Sequence, residues 1–359
     1  MSSEPRAGAG PRAGTRGKAA SFLGGHWIYL FLVLEAIYFS LRTGGFASLN
    51  ALQILLYYGV QVFLLSIAEL FVIATGGIDL SVGYILGFAS IISIKFMEWM
   101  APLGLGEPLT VLFGVLATLV VGLIPGLVNG WLVAYLKVPP FIATFSMLGV
   151  CHGVSELIIN GVYAMGLPKL AADIGSGHFL YVTRGLAPSF FSRPVVDRGV
   201  KVLEIVPDIV VVAAVVVCIL AFVLGRTRFG RHVYAIGGNV DAATRAGIPV
   251  KRRLLGVYAM SSFLASLAGI VYALMYVSGK ADAGASLLLD SIAAVVIGGA
   301  SLFGGTGTVQ RTMIGALILA VLDLGLRMAG TPTFDKYILV GVILIFAVVI
   351  ERYMPEARK

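Results

Sequence analysis

Ten stretches of this 359-residue chain reach or approach the length at which an apolar helix crosses a bilayer. Roughly 20 consecutive apolar residues cover the hydrocarbon core. The stretches fall at about 26–41, 50–75, 78–98, 109–136, 140–160, 208–224, 254–276, 286–303, 308–328 and 336–351. Hydrocarbon offers free backbone groups no partner, so uninterrupted runs of this length must be helical. The constraint predicts an all-α, polytopic membrane protein with about ten transmembrane helices. Interruptions stand at Gly76-Gly77, Pro125, Pro139-Pro140 and Gly304-Gly305. They are tolerated only where protein or water covers the freed backbone, as in transporters. The junction near Gly76 reads either as a tight loop or as a break within the bilayer.

Composition excludes the main alternatives. Hydrophobic residues make up 58% and charged residues only 12%, too apolar for a soluble domain. The 45 glycines have no period and sit inside apolar runs, where small residues let helices approach. Cys151 and Cys218 both fall within spans and say nothing of redox compartment. Four scattered histidines predict no metal site. Residues 1–23 read as a disordered basic cytoplasmic tail, with Arg6, Arg12, Arg16 and Lys18 against Glu4. A cleaved signal is the competing reading, but no small-x-small site follows the first run promptly, so that run is expected to remain as a helix.

Charge sets the expected orientation of the membrane region 24–351. The loop 225–253 holds Arg226, Arg228, Arg231, Arg245, Lys251, Arg252 and Arg253 against Asp241. The loop 161–207 holds Lys169, Arg184, Arg193, Arg198 and Lys201 against Asp173, Asp197 and Glu204. Basic loops stay cytoplasmic, which puts 225–253 and the N-terminus inside and 161–207 outside, with Tyr163, Tyr181 and Phe190 as surface anchors. An even number of spans returns the tail 352–359 to the cytoplasm. The surplus of +8 is then topological, and no basic soluble domain presents it to nucleic acid.

The segment 237–253, "GGNVDAATRAGIPVKRR", is polar between two apolar runs. Asn239 or Asp241 can cap a short helix, Gly247 can supply a left-handed stop and Pro249 blocks continuation. Such a helix suits either anionic lipid headgroups or a cytoplasmic protein. Here the sequence resembles a family. Asp241-Ala242-Ala243, with Arg245 and Gly247 beyond, looks like the Glu-Ala-Ala…Gly loop by which ABC importer permeases dock onto their ATPase. "TGGIDLSVG" (75–83), "VPPFIAT" (138–144), "RTRFGRHVYAIGGN" (226–239), "LASLAGIVYA" (264–273) and "LDSIAAVVIGGASLFGGTGT" (289–308) look like blocks of the ribose, xylose, arabinose and galactoside branch. They stand in that branch's order over about 50–350.

The resemblance implies a membrane subunit in the bacterial inner membrane that moves a monosaccharide or polyol by alternating access. It implies a second permease copy (a homodimer, or a close paralogue), a cytoplasmic ABC ATPase that can be tandem-domain, and a soluble or lipid-anchored sugar-binding protein. The chain itself is expected to be no enzyme and to hold no cofactor. Gly299 and Gly304 have phosphate-loop spacing, but Gly305 stands where the lysine must be. The alternatives are an importer of branched-chain amino acids or nucleosides and, less favoured, an ion-coupled secondary transporter with Glu69 as its carboxylate.

Polar groups inside spans are the candidate translocation-path residues. Asp79 either caps the third helix or lines the path. Asn129 can bind sugar hydroxyls through its amide or tie helices together. Thr144 either bonds its own helix or lines the path, and Asp290 caps the eighth span or faces the path. Glu35, Glu156 and Asp323 read as interfacial or locally paired. Two departures stand out against the resembled branch. Leu288 replaces a carboxylate in the usual Tyr-Glu-Leu-Asp, and Glu69 lies where an apolar residue is usual. Glu69 either belongs to a rebuilt path or bonds Gln61 or Gln53.

Overall fold

The computed structural model describes residues 15–183, 188–196, 200 and 202–353. Arg6, Arg12, Arg184, Asp197, Arg198, Lys201, Arg358 and Lys359 lie outside the described residues. Helices α1 (Thr15–Arg42), α2 (Leu49–Ile73), α3 (Val82–Met100), α4 (Glu107–Ala134) and α5 (Pro140–Ile159) come first. A small sheet-bearing unit follows: α6 (Lys169–Ser176), β1 (His178–Thr183), β2 (Ser189–Phe190) and β3 (Val202–Pro207). The chain continues through α7 (Asp208–Arg226), α8 (Arg228–Gly238), α9 (Val240–Arg245), α10 (Val250–Tyr276), α11 (Ala285–Ile297), α12 (Val309–Met328) and α13 (Thr333–Tyr353).

A helix lies over each apolar stretch. Among the described residues seven (α2, α3, α4, α5, α7, α10 and α12) are long and apolar enough to cross a membrane, and α11 is a shorter apolar helix. The stretch expected to run to 303 is helical only to Ile297, because the backbone turns left-handed at Gly299 (φ +85°). The fold is not purely α-helical. In the segment 161–207, β1 pairs antiparallel with both β2 and β3. "HFLYVT" and "VLEIVP" are rich in aromatic and β-branched residues that favour a pleated, half-buried surface. The surface role expected for Tyr181 fails for the same reason: it faces the sheet's packed side, buried, with its hydroxyl accepting from His178 N at 3.2 Å.

The centre of the bundle is α2, α3 and α10, with α4, α5 and α7 around it. In its most apolar window α2 is 78% buried and α7 only 22%. Lipid tails are as apolar as leucine, so close packing must hold the centre together. Gly122, Gly126 and Gly130 of α4 face α10 at helical spacing. A Cβ on Gly126 would stand 2.3 Å from the Tyr258 carbonyl oxygen. The break expected at Pro125 is repaired by α10. The Ser262 hydroxyl donates to Gly122 O at 2.6 Å and accepts from Gly126 N at 3.1 Å, inserted into the backbone ladder.

Candidate functional site

Helix α2 ends at Ile73 and α3 starts at Val82, so the Gly76-Gly77 break is a tight turn. The turn points Asp79 into the bundle, fully buried. Asp79 Oδ1 accepts from Ser81 N at 3.0 Å and from the Ser81 hydroxyl, and Oδ2 accepts from Ser261 Oγ of α10 at 2.8 Å. Ser81 Oγ in turn accepts from Asn129 Nδ2 of α4 at 3.0 Å. Thr144 donates to Pro140 O of its own helix at 2.9 Å and also lies 3.2 Å from Ile78 O. Glu69 does not bond Gln61, whose amide instead approaches Met275 Sδ at 3.7 Å. Its Oε2 receives only a long contact from Asp79 N at 3.5 Å. Four of the five candidate path residues therefore meet in one fully buried cluster, from α2, the α2–α3 turn, α4 and α5.

Three buried atoms there lack a protein partner: Glu69 Oε1, Asn129 Oδ1 and the Tyr258 hydroxyl of α10. Buried polar groups are otherwise nearly always paired. An arrangement of paired acceptors with spare oxygens can take hydroxyl donors once the helices part. Tyr258 and Ser261 were not legible as members, since one tyrosine and one serine in an apolar run look like packing.

The segment 239–247 folds as its residues dictate. Asn239 Oδ1 accepts from Ala242 N at 2.8 Å and starts α9. Gly247 ends it at φ +79°, with Ile248 N bonding Ala243 O and Gly247 N bonding Thr244 O, the paired closure of a Schellman motif. Pro249 then serves as the cap before α10. Ala243 is buried and holds the helix down, while Asp241, Ala242, Arg245 and Gly247 are exposed. A Cβ on Gly247 would meet open space, so only the backbone conformation demands glycine there. Part of the basic surplus is engaged nearby. Arg253 Nε donates to His232 Nδ1 at 3.1 Å, and Lys251 lies over the Tyr135 ring. Desolvation, then Arg253, Arg231 and Arg228, push the His232 pKa down, so the imidazole accepts that bond as a neutral base.

The two parts are joined backbone to backbone. Gly305 N donates to Ala74 O at 3.0 Å. A Cβ on Gly237, at the end of α8, would stand 2.0 Å from Ala74 O and 2.4 Å from Gly305 N. One on Gly304 would stand 2.7 Å from Gly76 N. Tyr234 of α8 donates its hydroxyl to Gly307 O at 2.7 Å. The end of α8, the α2–α3 turn and the glycine turn after α11 thus form one joint, between the exposed α9 and the buried cluster.

Asp290 is elsewhere. It neither caps α11 nor joins the Asp79 cluster. Its Oδ2 holds Lys336 Nζ of α13 at 2.6 Å, and Lys336 also reaches Asp323 Oδ1 of α12 at 3.0 Å. Asp323 pairs locally, as expected, with Arg327 at 2.8 Å. Lys336 escaped the sequence reading because a lysine at the edge of an apolar run looks like an interfacial anchor. Leu288, where a carboxylate was expected, sits in the apolar core.

Comparison with known proteins places the chain among transport proteins. Residues 51–348 match the family described as branched-chain amino acid transport system / permease component. The chain is 35% identical to the xylose transport system permease protein XylH of Haemophilus influenzae, over 90% of this chain and 96% of that one. It is 36% identical to the fructose import permease protein FrcC of Rhizobium meliloti, over 91% and 85%. It is 33% identical to the ribose import permease protein RbsC of Bacillus subtilis, over 94% of each. No solved structure matches.

Proposed function

The chain belongs to the branched-chain amino acid transport system / permease component family, and from that premise we propose that it imports a monosaccharide or related polyol as the membrane subunit of an ATP-binding-cassette transporter. Xylose, fructose and ribose permeases align with nearly its whole length, which favours a sugar over the amino acids in the family's description. It is a multi-pass protein of the bacterial cell membrane, with an ATPase and a substrate-binding protein as partners. We further assign ten crossings, both termini to the cytoplasm and a second permease copy across the path.

In this reading α9 is the docking helix, with Asp241, Ala242, Arg245 and Gly247 facing the ATPase and Ala243 anchoring it. The observation that carries the coupling step is the joint at Gly237, Gly76 and Gly304. Because those backbones touch without intervening side chains, closure of the ATPase moves α8 against the α2–α3 turn as a nearly rigid push. The turn carries Asp79, so the push rearranges the Glu69, Asp79, Asn129 and Thr144 cluster and opens it to passing hydroxyls. Net binding there must stay weak, since a path that held its substrate would not release it.

The test is a cross-link. A cysteine at Thr244, exposed on α9, should form a disulfide or bismaleimide bridge to a cysteine scan of the ATPase surface. Bridging at one cleft, altered by ATP, is the expected result. A Thr244→Cys permease that labels freely with the ATPase bound and bridges nowhere refutes docking through α9.

A further inference from the structure

The sheet-bearing segment lies at the opposite end of the bundle from α9. Ala164 and Gly279 bridge it to the loop that leads into α11. Beside that end, α2, α11, α12 and α13 enclose a cavity lined by Tyr58, Gln61, Asp290, Asp323, Arg327 and Lys336. We propose that this cavity is a polyol subsite, where sugar hydroxyls take over some of the places on Asp290 and Asp323 that Lys336 now occupies. The proposal rests on the sugar-importer reading and puts a second stop on the path, on the side where substrate is delivered.

The chemistry selects the ligand. The lining carries two carboxylates and two cations in a linear chain of ion pairs: Asp290, Lys336, Asp323 and Arg327. An anionic substrate would face both acids and a cationic one both bases, so a neutral ligand meets the least opposition. A ligand rich in hydroxyls matches donors and acceptors at once, because each hydroxyl gives to a carboxylate and accepts from an ammonium or guanidinium. Asp290 Oδ1 is buried without a partner and already offers one free acceptor. The Tyr58 ring, with the Arg327 guanidinium 5.4 Å from its centroid, supplies the flat apolar face a sugar ring needs.

Placement argues the same way. Ionisable groups within membrane helices face a water-filled space or one another, and these face one another beside the cavity. The space measures about 40 Å³, enough for a few waters. Ligand pockets run to roughly 300–1,000 Å³, so the subsite is closed in this structure, with Lys336 across it. Its flexible stem can withdraw as α13 moves. A buried carboxylate left without its cation is costly, so Lys336 shifts aside while staying near Asp290 and Asp323, and hydroxyls take only part of its hydrogen bonds. A weak, reversible site follows.

The permease, its ATPase and its binding protein are reconstituted in proteoliposomes, and uptake of labelled xylose, ribose, fructose, galactose and leucine is measured. The double variant Asp290→Leu/Lys336→Leu removes both partners of one pair, a replacement that is neutral or stabilising in many buried pairs. It should assemble and melt near the wild type, yet lose about tenfold or more of uptake, the equivalent of one decade in affinity. Sugar uptake by the wild type with the double variant unaffected overturns the proposal alone. Amino-acid uptake without sugar uptake by the wild type overturns the importer reading and this site with it. If the double variant does not assemble, Tyr58→Cys decides. Transported sugar should slow its labelling by a water-soluble thiol reagent, read at residue 58, and an unchanged rate counts against the subsite.

Discussion

Replacing Gly237 with alanine adds one methyl group at the joint between α8 and the α2–α3 turn. That carbon would stand 2.0 Å from Ala74 O and 2.4 Å from Gly305 N, and both neighbours are backbone. Non-bonded carbon contacts are comfortable near ~3.5 Å. The helix must therefore retreat by about 1 Å or more, which also strains the Gly305–Ala74 hydrogen bond. Overpacking of this kind costs ~1–3 kcal/mol. Alanine's better helix propensity, worth roughly 0.5–1 kcal/mol over glycine, works in the opposite direction and does not cancel it. Gly238 is the matched control, because a Cβ there meets nothing within 4 Å. The assay is ATP hydrolysed per sugar delivered in proteoliposomes, with the ATPase confirmed bound. Gly237→Ala should raise that ratio sharply and lower the melting temperature, while Gly238→Ala leaves both near wild type. Equal coupling in the two variants would refute the backbone joint as the route of transmission.

Other expectations follow from single contacts. Asp79→Ala leaves three donors from Ser81 and Ser261 without their acceptor, so thermal unfolding in detergent should show a loss of ~1–3 kcal/mol or more. Gly247→Val should fold but dock poorly, because valine resists φ +79°; normal pull-down of the ATPase together with normal transport would return the segment to a lipid-facing role. Cysteines at Ser192 and Thr244 should label from opposite faces, 192 from outside and 244 from inside, and same-side labelling would mean an odd error in the span count. His232 has its pKa lowered in the fold, so the folded state binds fewer protons than the unfolded one. Its contact with Arg253 contributes above the ordinary histidine range and is lost as pH falls through it. His232→Gln should flatten that part of a melting-temperature profile between about pH 5 and 7.5.

What the sequence showed was set by the strongest physics. Hydrocarbon forces apolar runs into helices, so their positions were legible. The caps of α9 were legible too, since Asn239 and Gly247 act on their immediate neighbours. The sheet at 178–207 was not, because hydropathy says little about a segment of mixed polarity and its alternation is short. Of the two readings of Glu69, the bond to Gln61 does not form: Gln61 is close in sequence, but the turn at Gly76 folds Asp79 back onto Glu69. Lys336 and Gly237 were invisible for a common reason. Each is defined by what a distant segment brings to it, Asp290 and Asp323 in one case and the Ala74 carbonyl in the other.

The central claim, that this chain moves sugar only when an ATPase drives it through α9, is tested most directly by omission. Purified permease is placed in proteoliposomes alone, with ATPase, with binding protein, and with both, and uptake of labelled xylose, ribose, fructose and galactose is followed with and without ATP. Uptake of at least one sugar in the complete mixture with ATP, and in no other, is the predicted result. Uptake by the chain alone, driven by a proton or sodium gradient, would contradict it and make Glu69 the coupling carboxylate of a secondary transporter.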